Sequence, residues 1–170
     1  MSRQVVEVDH PLVRHKLGLL RDVTTTTQMF RQLVNELTLL LTYEATKELA
    51  TENVDIETPL QWTSAERISG KKVAVCPILR AGMGMLDGVL SLIPGARVGF
   101  IGLYRNEETL QAVEYFVKLP NDISDRDVIL LDPMLATGNS TAAAATIVKD
   151  AGATSVRLIA LIAAPEGIER

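Results

Sequence analysis

The sequence is short of several things, and each shortage excludes something. There is one cysteine, Cys76, so no disulfide can form within the chain and an oxidising compartment is not required. Aromatic residues make up only 4% of the chain, so the core has to be built from Leu, Ile, Val and Ala. Basic residues are outnumbered, with 17 Lys and Arg against 21 Asp and Glu and a formal net charge of −4. That balance excludes a protein that coats nucleic acid or binds membranes through a polybasic surface, because phosphate-backbone binding depends on clustered Lys and Arg. The longest clean apolar run, Leu158–Ala164, is far short of the roughly 20 residues of a membrane-spanning helix. The polar N-terminus carries no apolar signal core, and the expected location is the cytoplasm.

Apolar residues are nevertheless 47% of the chain, which excludes general disorder. The 170 residues fit one domain, and a chain of that size buries about two-thirds of its unfolded surface without a disulfide or metal staple. No repeat, low-complexity tract or linker divides residues 1–170.

Val5–Val8 is a short β-branched stretch, and His10–Arg21 reads as a loop or a short helix. Thr24–Thr27 offers N-caps to a long N-terminal helix. Its apolar stripe is Met29, Phe30, Leu33, Leu37, Leu40, Leu41 and Leu49, opposite Arg31, Gln32, Asn35, Glu36 and Glu48. The stripe suits a core face, with a dimer surface as the alternative. Val54–Leu60 reads as a weak edge strand, and Trp62 as a core or interface anchor. After Lys71 the pattern alternates. The spacing predicts buried strands at Val73–Leu79, Val98–Leu103, Val128–Leu131 and Val156–Ala163, helices at Met85–Ile93 and Thr141–Ala151, and a half-exposed strand at Val113–Lys118. Gly152 is placed to stop the second of those helices. Two strand–helix–strand units imply an α/β fold with a mainly parallel sheet flanked by helices. Ligands of such folds bind beyond the carboxyl ends of the strands, so the informative segments are Arg80–Gly84, Tyr104–Ala112 and Asp132–Thr141.

The third segment carries the clearest chemistry. An aliphatic strand delivers Asp132, then Pro133-Met134-Leu135-Ala136-Thr137-Gly138-Asn139-Ser140-Thr141 leads into a helix. Backbone amides at a helix start form an anion site, to which Thr137, Ser140 and Thr141 can add hydroxyls. Gly138 lets the backbone approach a phosphate, and Asp132 can accept hydrogen bonds from sugar hydroxyls. A phosphate cradle beside one carboxylate is what a ribose 5-phosphate requires. The alternative is an ordinary capped strand–helix turn. No Lys follows the glycine as in a Walker A loop, and the spaced glycines of a dinucleotide fingerprint are absent. His10 and His15 stand apart from any other ligand cluster, which speaks against a metal site built from them. Cys76, on a buried strand, reads as a small core residue.

The string Asp132-Pro133-Met134-Leu135-Ala136-Thr137-Gly138 resembles the phosphoribosyl diphosphate loop of type I phosphoribosyltransferases, in the form found in the uracil phosphoribosyltransferase family. Pro77-Ile78-Leu79-Arg80-Ala81-Gly82 matches the same family. So do Gly102-Leu103-Tyr104-Arg105 with Glu114–Pro120, then Ala163-Ala164-Pro165-Glu166-Gly167, and His10-Pro11-Leu12-Val13 with Lys16-Leu17 at the start. The resemblance covers nearly the whole chain. It implies transfer of a phosphoribosyl group from 5-phosphoribosyl 1-diphosphate to uracil, giving UMP and diphosphate. It also implies Mg²⁺ held through the donor's diphosphate and ribose, and a homodimer or larger homo-oligomer, with GTP as an effector in some members. Residues 132–141 would hold the donor, with Ala136–Ser140 on the 5′-phosphate and Asp132 at the ribose hydroxyls. Arg80 and Arg105 would contact the diphosphate, Arg105 from a moving loop.

Some positions depart from the family. Asn139 stands where a second glycine is usual, Asn106 where an acid is common, and Ala112 where proline is common. A C-terminal segment that holds uracil in the family, with Tyr-Ile-Val-Pro-Gly-like and Gly-Asp-Ala-Gly-Asp-like runs, does not occur in residues 1–170. The expectation is therefore that these residues carry the donor half of the site and form little or no UMP alone. Two alternatives are a donor-binding module without turnover and a phosphoribosyltransferase-like regulator. The negative charge and the lack of a basic or helix-turn-helix segment count against the regulator.

Overall fold

The computed structural model describes residues 4–70, 73–105 and 112–170, and the backbone alone of Arg105. Helix α1 spans Pro11–Arg21, with Pro11 in its first turn and the His10 imidazole accepting from the Leu12 amide. Helix α2 spans Thr27–Ala45, capped by the Thr26 hydroxyl. A hairpin of β1 (Thr51–Glu57) and β2 (Trp62–Ile68) follows and, among the described residues, pairs only with itself. Then come β3 (Val73–Leu79), a 3₁₀ turn (Ala81–Met85), α3 (Leu86–Leu92), β4 (Arg97–Val98), β5 (Phe100–Arg105) and β6 (Ala112–Lys118). The chain ends with β7 (Asp127–Leu131), β8 (Met134–Leu135), α4 (Asn139–Asp150), β9 (Ser155–Ile159), β10 (Ile162–Ala163) and the short turn of helix α5 (Pro165–Glu169).

The main sheet has the order β6-β5-β3-β7-β9, with β4 also on β3. Every pair is parallel except β5–β6. Both faces are covered, which explains why the parallel strands read as continuous aliphatic runs. Val73, Val75, Ile129 and Leu131 point to the side of α1, α2 and α3, where Leu33, Leu37 and Val89 meet them. Ala74, Cys76, Ile78, Val128 and Leu130 point to the other side, against Ala144 and Val148 of α4. The α/β expectation is met.

Several local expectations are corrected. The stripe of α2 runs through Leu33, Val34, Leu37, Thr38 and Thr42, while Met29 and Phe30 are exposed and Leu49 lies past the helix end. Thr38 and Thr42 enter the core because their hydroxyls donate to the carbonyls of Val34 and Thr38, both at 2.7 Å. Polar residues thus sit on a face that hydropathy assigns to leucine. The predicted strand Val98–Leu103 is split at Gly99, where a Cβ would stand 2.8 Å from the Cys76 sulfur. Similarly, the predicted strand Val156–Ala163 is two pieces, β9 and β10, in different sheets. Trp62 is 66% exposed, so it is no core anchor, and its whole strand was absent from the sequence reading.

Cys76 is fully buried, as expected. Burial pushes its thiol up to about 12, the backbone amide of Gly99 pulling slightly the other way. A thiol without thiolate character or access is inert. Iodoacetamide at neutral pH is expected to leave the native protein unmodified and to label it fully in denaturant. Labelling of the native protein at the rate of a free thiol would contradict the burial.

Candidate active site

The chain leaves β3 toward β5 on one side of the sheet and returns through β7 on the other. The carboxyl ends of β3 and β7 therefore flank the point where the winding reverses, the usual place for a crevice. Pro77 of β3 is in register with Leu131 of β7. Arg80 and Asp132, just beyond, consequently emerge from adjacent strands at the same sheet edge. Arg80 is exposed and caps the 3₁₀ turn. The peptide bond Leu79–Arg80 is cis.

A cleft of about 170 Å³ opens here, lined by Asp132, Met134, Ala136, Thr137, Gly138, Asn139, Ser140, Thr141 and Ala112. Asp132 is its carboxylate. The Met134 amide donates to one Asp132 oxygen and the Thr141 hydroxyl to the other, both at 3.2 Å. Burial raises its pKa above the ordinary carboxylate value, and these two donors lower it again without cancelling the rise.

Gly138 precedes α4 with φ of +72°, a left-handed conformation that L residues with side chains rarely hold. The helix starts at Asn139, two residues before the predicted start, and its first internal bond runs from the Ala142 amide to the Gly138 carbonyl at 2.8 Å. The amides of Ser140 and Thr141 belong to the first turn, where helix geometry supplies no partner and the dipole favours an anion. Asn139 adopts helical backbone. The left-handed residue is Gly138, so the missing second glycine is not needed for backbone shape.

The structure sorts the predicted site residues into groups. Asp132, Met134 and Ala136–Thr141 line the cleft together. Pro133 and Leu135 do not: their carbonyls accept from Leu161, Ile162 and Ala164, and the Leu135 side chain is buried. Thr141, read as a phosphate donor, is hydrogen-bonded to Asp132. The backbone of Arg105 ends β5 at the same edge, paired with cleft-lining Ala112. Its side chain and Asn106 lie outside the described residues. Ala112 ends the segment Tyr104–Ala112 that the fold class singles out, and it lines the cleft although it was not among the individual donor-binding residues read from the sequence. Its signal was indirect, namely that an antiparallel β6 must start where β5 ends.

A mostly parallel α/β sheet, with an acid at a strand end beside a glycine-led helix start at the winding reversal, is the architecture of the phosphoribosyltransferase fold. Solved structures with that fold include a purine phosphoribosyltransferase from Pyrococcus horikoshii Ot3, superimposing with TM-score 0.53 at 17% identity over 78% of this chain and 74% of that one. The AQ2163 protein from Aquifex aeolicus superimposes with TM-score 0.92 at 36% identity over 98% of this chain and 80% of that one. The sequence model of the uracil phosphoribosyltransferase family matches residues 6–170, and this chain belongs to that family. The uracil phosphoribosyltransferase of Clostridium botulinum (strain Eklund 17B / Type B) is 58% identical over 166 residues, 98% of this chain and 79% of that protein. That of Staphylococcus aureus (strain Newman) is 58% identical over 162 residues, 95% of this chain and 78% of that protein.

Proposed function

We propose that the protein transfers the phosphoribosyl group of 5-phosphoribosyl 1-diphosphate to uracil, with Asp132–Thr141 as the donor loop. The observation that carries the placement is the position of Asp132, held by two hydrogen bonds in the same cleft as the start of α4. The bond from the anomeric carbon to diphosphate breaks with its electron pair leaving on the diphosphate, a bond to the uracil nitrogen forms, and that nitrogen's proton passes to solvent. Positive charge develops on the sugar ring, so an ionised carboxylate at the ribose is favourable there. No side-chain nucleophile is needed, since positioning and fixed dipoles can supply most of the acceleration. The first turn of α4 binds the 5′-phosphate, Asp132 orients the ribose, and Arg80 and Arg105 receive the diphosphate.

Mg²⁺ completes the proposal. Magnesium is commonly held by substrate phosphates with only one or two carboxylates, and among the described residues Asp132 is the carboxylate lining the cleft, which fits an ion held mainly through the donor. When bound it neutralises charge on the leaving diphosphate. A cytoplasmic location and a homodimer are also proposed. Among the described residues no helix is long and apolar enough to cross a membrane. Leu60 and Trp62, exposed at the hairpin turn, give a second copy an apolar surface to cover. A GTP effector rests on the family resemblance.

Arg80→Ala is expected to weaken donor binding by roughly 10- to 100-fold, the loss of a charge-assisted hydrogen bond of about 1.5–3 kcal/mol. The fold should be unchanged because the side chain is exposed. Calorimetric titration with 5-phosphoribosyl 1-diphosphate checks it, and unchanged affinity would remove Arg80 from the site.

A further inference from the structure

We propose that the segment Leu161–Glu169 is a platform that sets the position of the donor loop, with Gly167 as its positioning residue. The inference rests on reading Asp132–Thr141 as that loop. Leu161 to Ile168 are absent from the cleft lining, yet they hold the loop from behind. Strand β10 lies parallel to β8, with Ile162 opposite Met134 and Ala163 opposite Leu135. The amides of Leu161 and Ile162 both donate to the Pro133 carbonyl at 3.2 Å, and the Ala164 amide donates to the Leu135 carbonyl at 2.8 Å. The turn of α5 then brings Gly167 against the loop. A Cβ on Gly167 would lie 2.5 Å from the Ala136 carbonyl oxygen, 2.8 Å from that of Leu135 and 2.9 Å from the Leu135 Cγ. From the other side, a Cβ on Gly138 would lie 3.1 Å from the Gly167 carbonyl oxygen. Two backbones are in close contact through Gly138 and Gly167, with the Arg170 side chain packed beside Gly138 and that of Leu135 beside Gly167, and a Cβ on Gly167 would strike backbone.

Peptide planarity turns this contact into positioning. In a trans peptide the C=O of one residue and the N–H of the next point opposite ways. Holding the Pro133 carbonyl on the C-terminal segment therefore aims the Met134 N–H away from it, and that N–H donates to Asp132. The Ala136 carbonyl, turned to Gly167, likewise sends the Thr137 N–H away from Gly167. The segment thus orients both the carboxylate's partner and part of the phosphate cradle without touching substrate. Because coupling is reciprocal, a ligand that orders the loop must also tighten the segment.

Amide exchange followed by NMR on the unaltered protein, with and without saturating ribose 5-phosphate, tests this. The amides of Ile162 and Ala164 are expected to exchange at least tenfold more slowly with the ligand, along with those of Thr137 and Ser140. Slowing at Thr137 and Ser140 with no change at Ile162 and Ala164 would overturn the platform while leaving the donor site standing. No slowing at Thr137 and Ser140 would overturn the donor site and the platform with it. Gly167→Ala is expected to weaken ribose 5-phosphate binding at least tenfold and to abolish the ligand-dependent slowing of exchange at Ile162 and Ala164. Unchanged ribose 5-phosphate affinity in a folded Gly167→Ala protein would also reject the proposal. If that variant does not fold, the exchange experiment decides.

Discussion

Asp132→Asn is expected to lower kcat/KM by at least about 100-fold while leaving the melting temperature at neutral pH unchanged or raised. The substitution is isosteric. The Asn carbonyl can still accept from the Met134 amide, and its NH₂ can donate to the Thr141 hydroxyl. What disappears is charge. Two ribose hydroxyls bonded to an ionised acceptor contribute about 1.5–3 kcal/mol each, and every 1.4 kcal/mol is roughly a factor of ten. Stability moves the other way. Burial raises the folded-state pKa of Asp132 above its ordinary value. The folded protein then binds the proton more tightly than the unfolded chain, so this stabilising contribution is complete below the ordinary carboxylate pKa and is lost as pH rises through the raised one. At neutral pH the buried charge opposes folding, and Asn removes that opposition. Donor binding by the parent protein should fall off as pH drops through the raised value. Steady-state kinetics against pH, with calorimetric melting of both proteins, checks each part. Full activity in the variant would exclude Asp132 from the ribose site.

Gly82→Ala is expected to damage both fold and site. A Cβ there would lie 2.3 Å from the Leu131 carbonyl oxygen and 3.2 Å from the Pro77 Cα, all backbone of central strands. No rotamer can relieve that overlap, so the 3₁₀ turn or β7 must shift. Overpacking of this kind costs about 1–3 kcal/mol, and the upper end applies where backbone is struck on both sides. For a chain of this length, that is a fall of roughly 6–12 °C in melting temperature. Arg80 lies two residues before Gly82, and Asp132 follows Leu131. A displacement near 1 Å at such groups reduces turnover by about 100-fold. Gly95→Ala is the control, since a Cβ there meets nothing within 4 Å. If Gly82→Ala melts and turns over like Gly95→Ala, the close approach at Leu131 is wrong.

Much of this was legible in the residues. Aliphatic runs too short for membranes and too continuous for one-sided sheets placed β3, β5, β7 and β9. Asp132 at the end of such a run, before small and hydroxyl residues, marked the loop. Those signals are local, resting on periodicity of side chains and on backbone freedom at Gly138. The hairpin strand Trp62–Ile68 was missed because both its faces are largely exposed, so burial imposed little alternation on it. Thr38 and Thr42 were missed because a hydroxyl that bonds its own helix can be buried, which hydropathy does not register.

The sequence by itself determined the fold class, the parallel strands β3, β5, β7 and β9 with the helices between them, and which loop carries a carboxylate before a helix start. Each of these follows from interactions between residues near one another in the chain. Only the tertiary structure decided that Pro133 and Leu135 serve the C-terminal segment rather than the cleft, that Thr141 holds Asp132, and that Gly167 lies against Ala136. Those outcomes depend on which strand neighbours which and on contacts a few ångströms across, between residues 9 apart for Thr141 and Asp132 and about 30 apart for the loop and the C-terminal segment. Sequence spacing carries no record of such contacts.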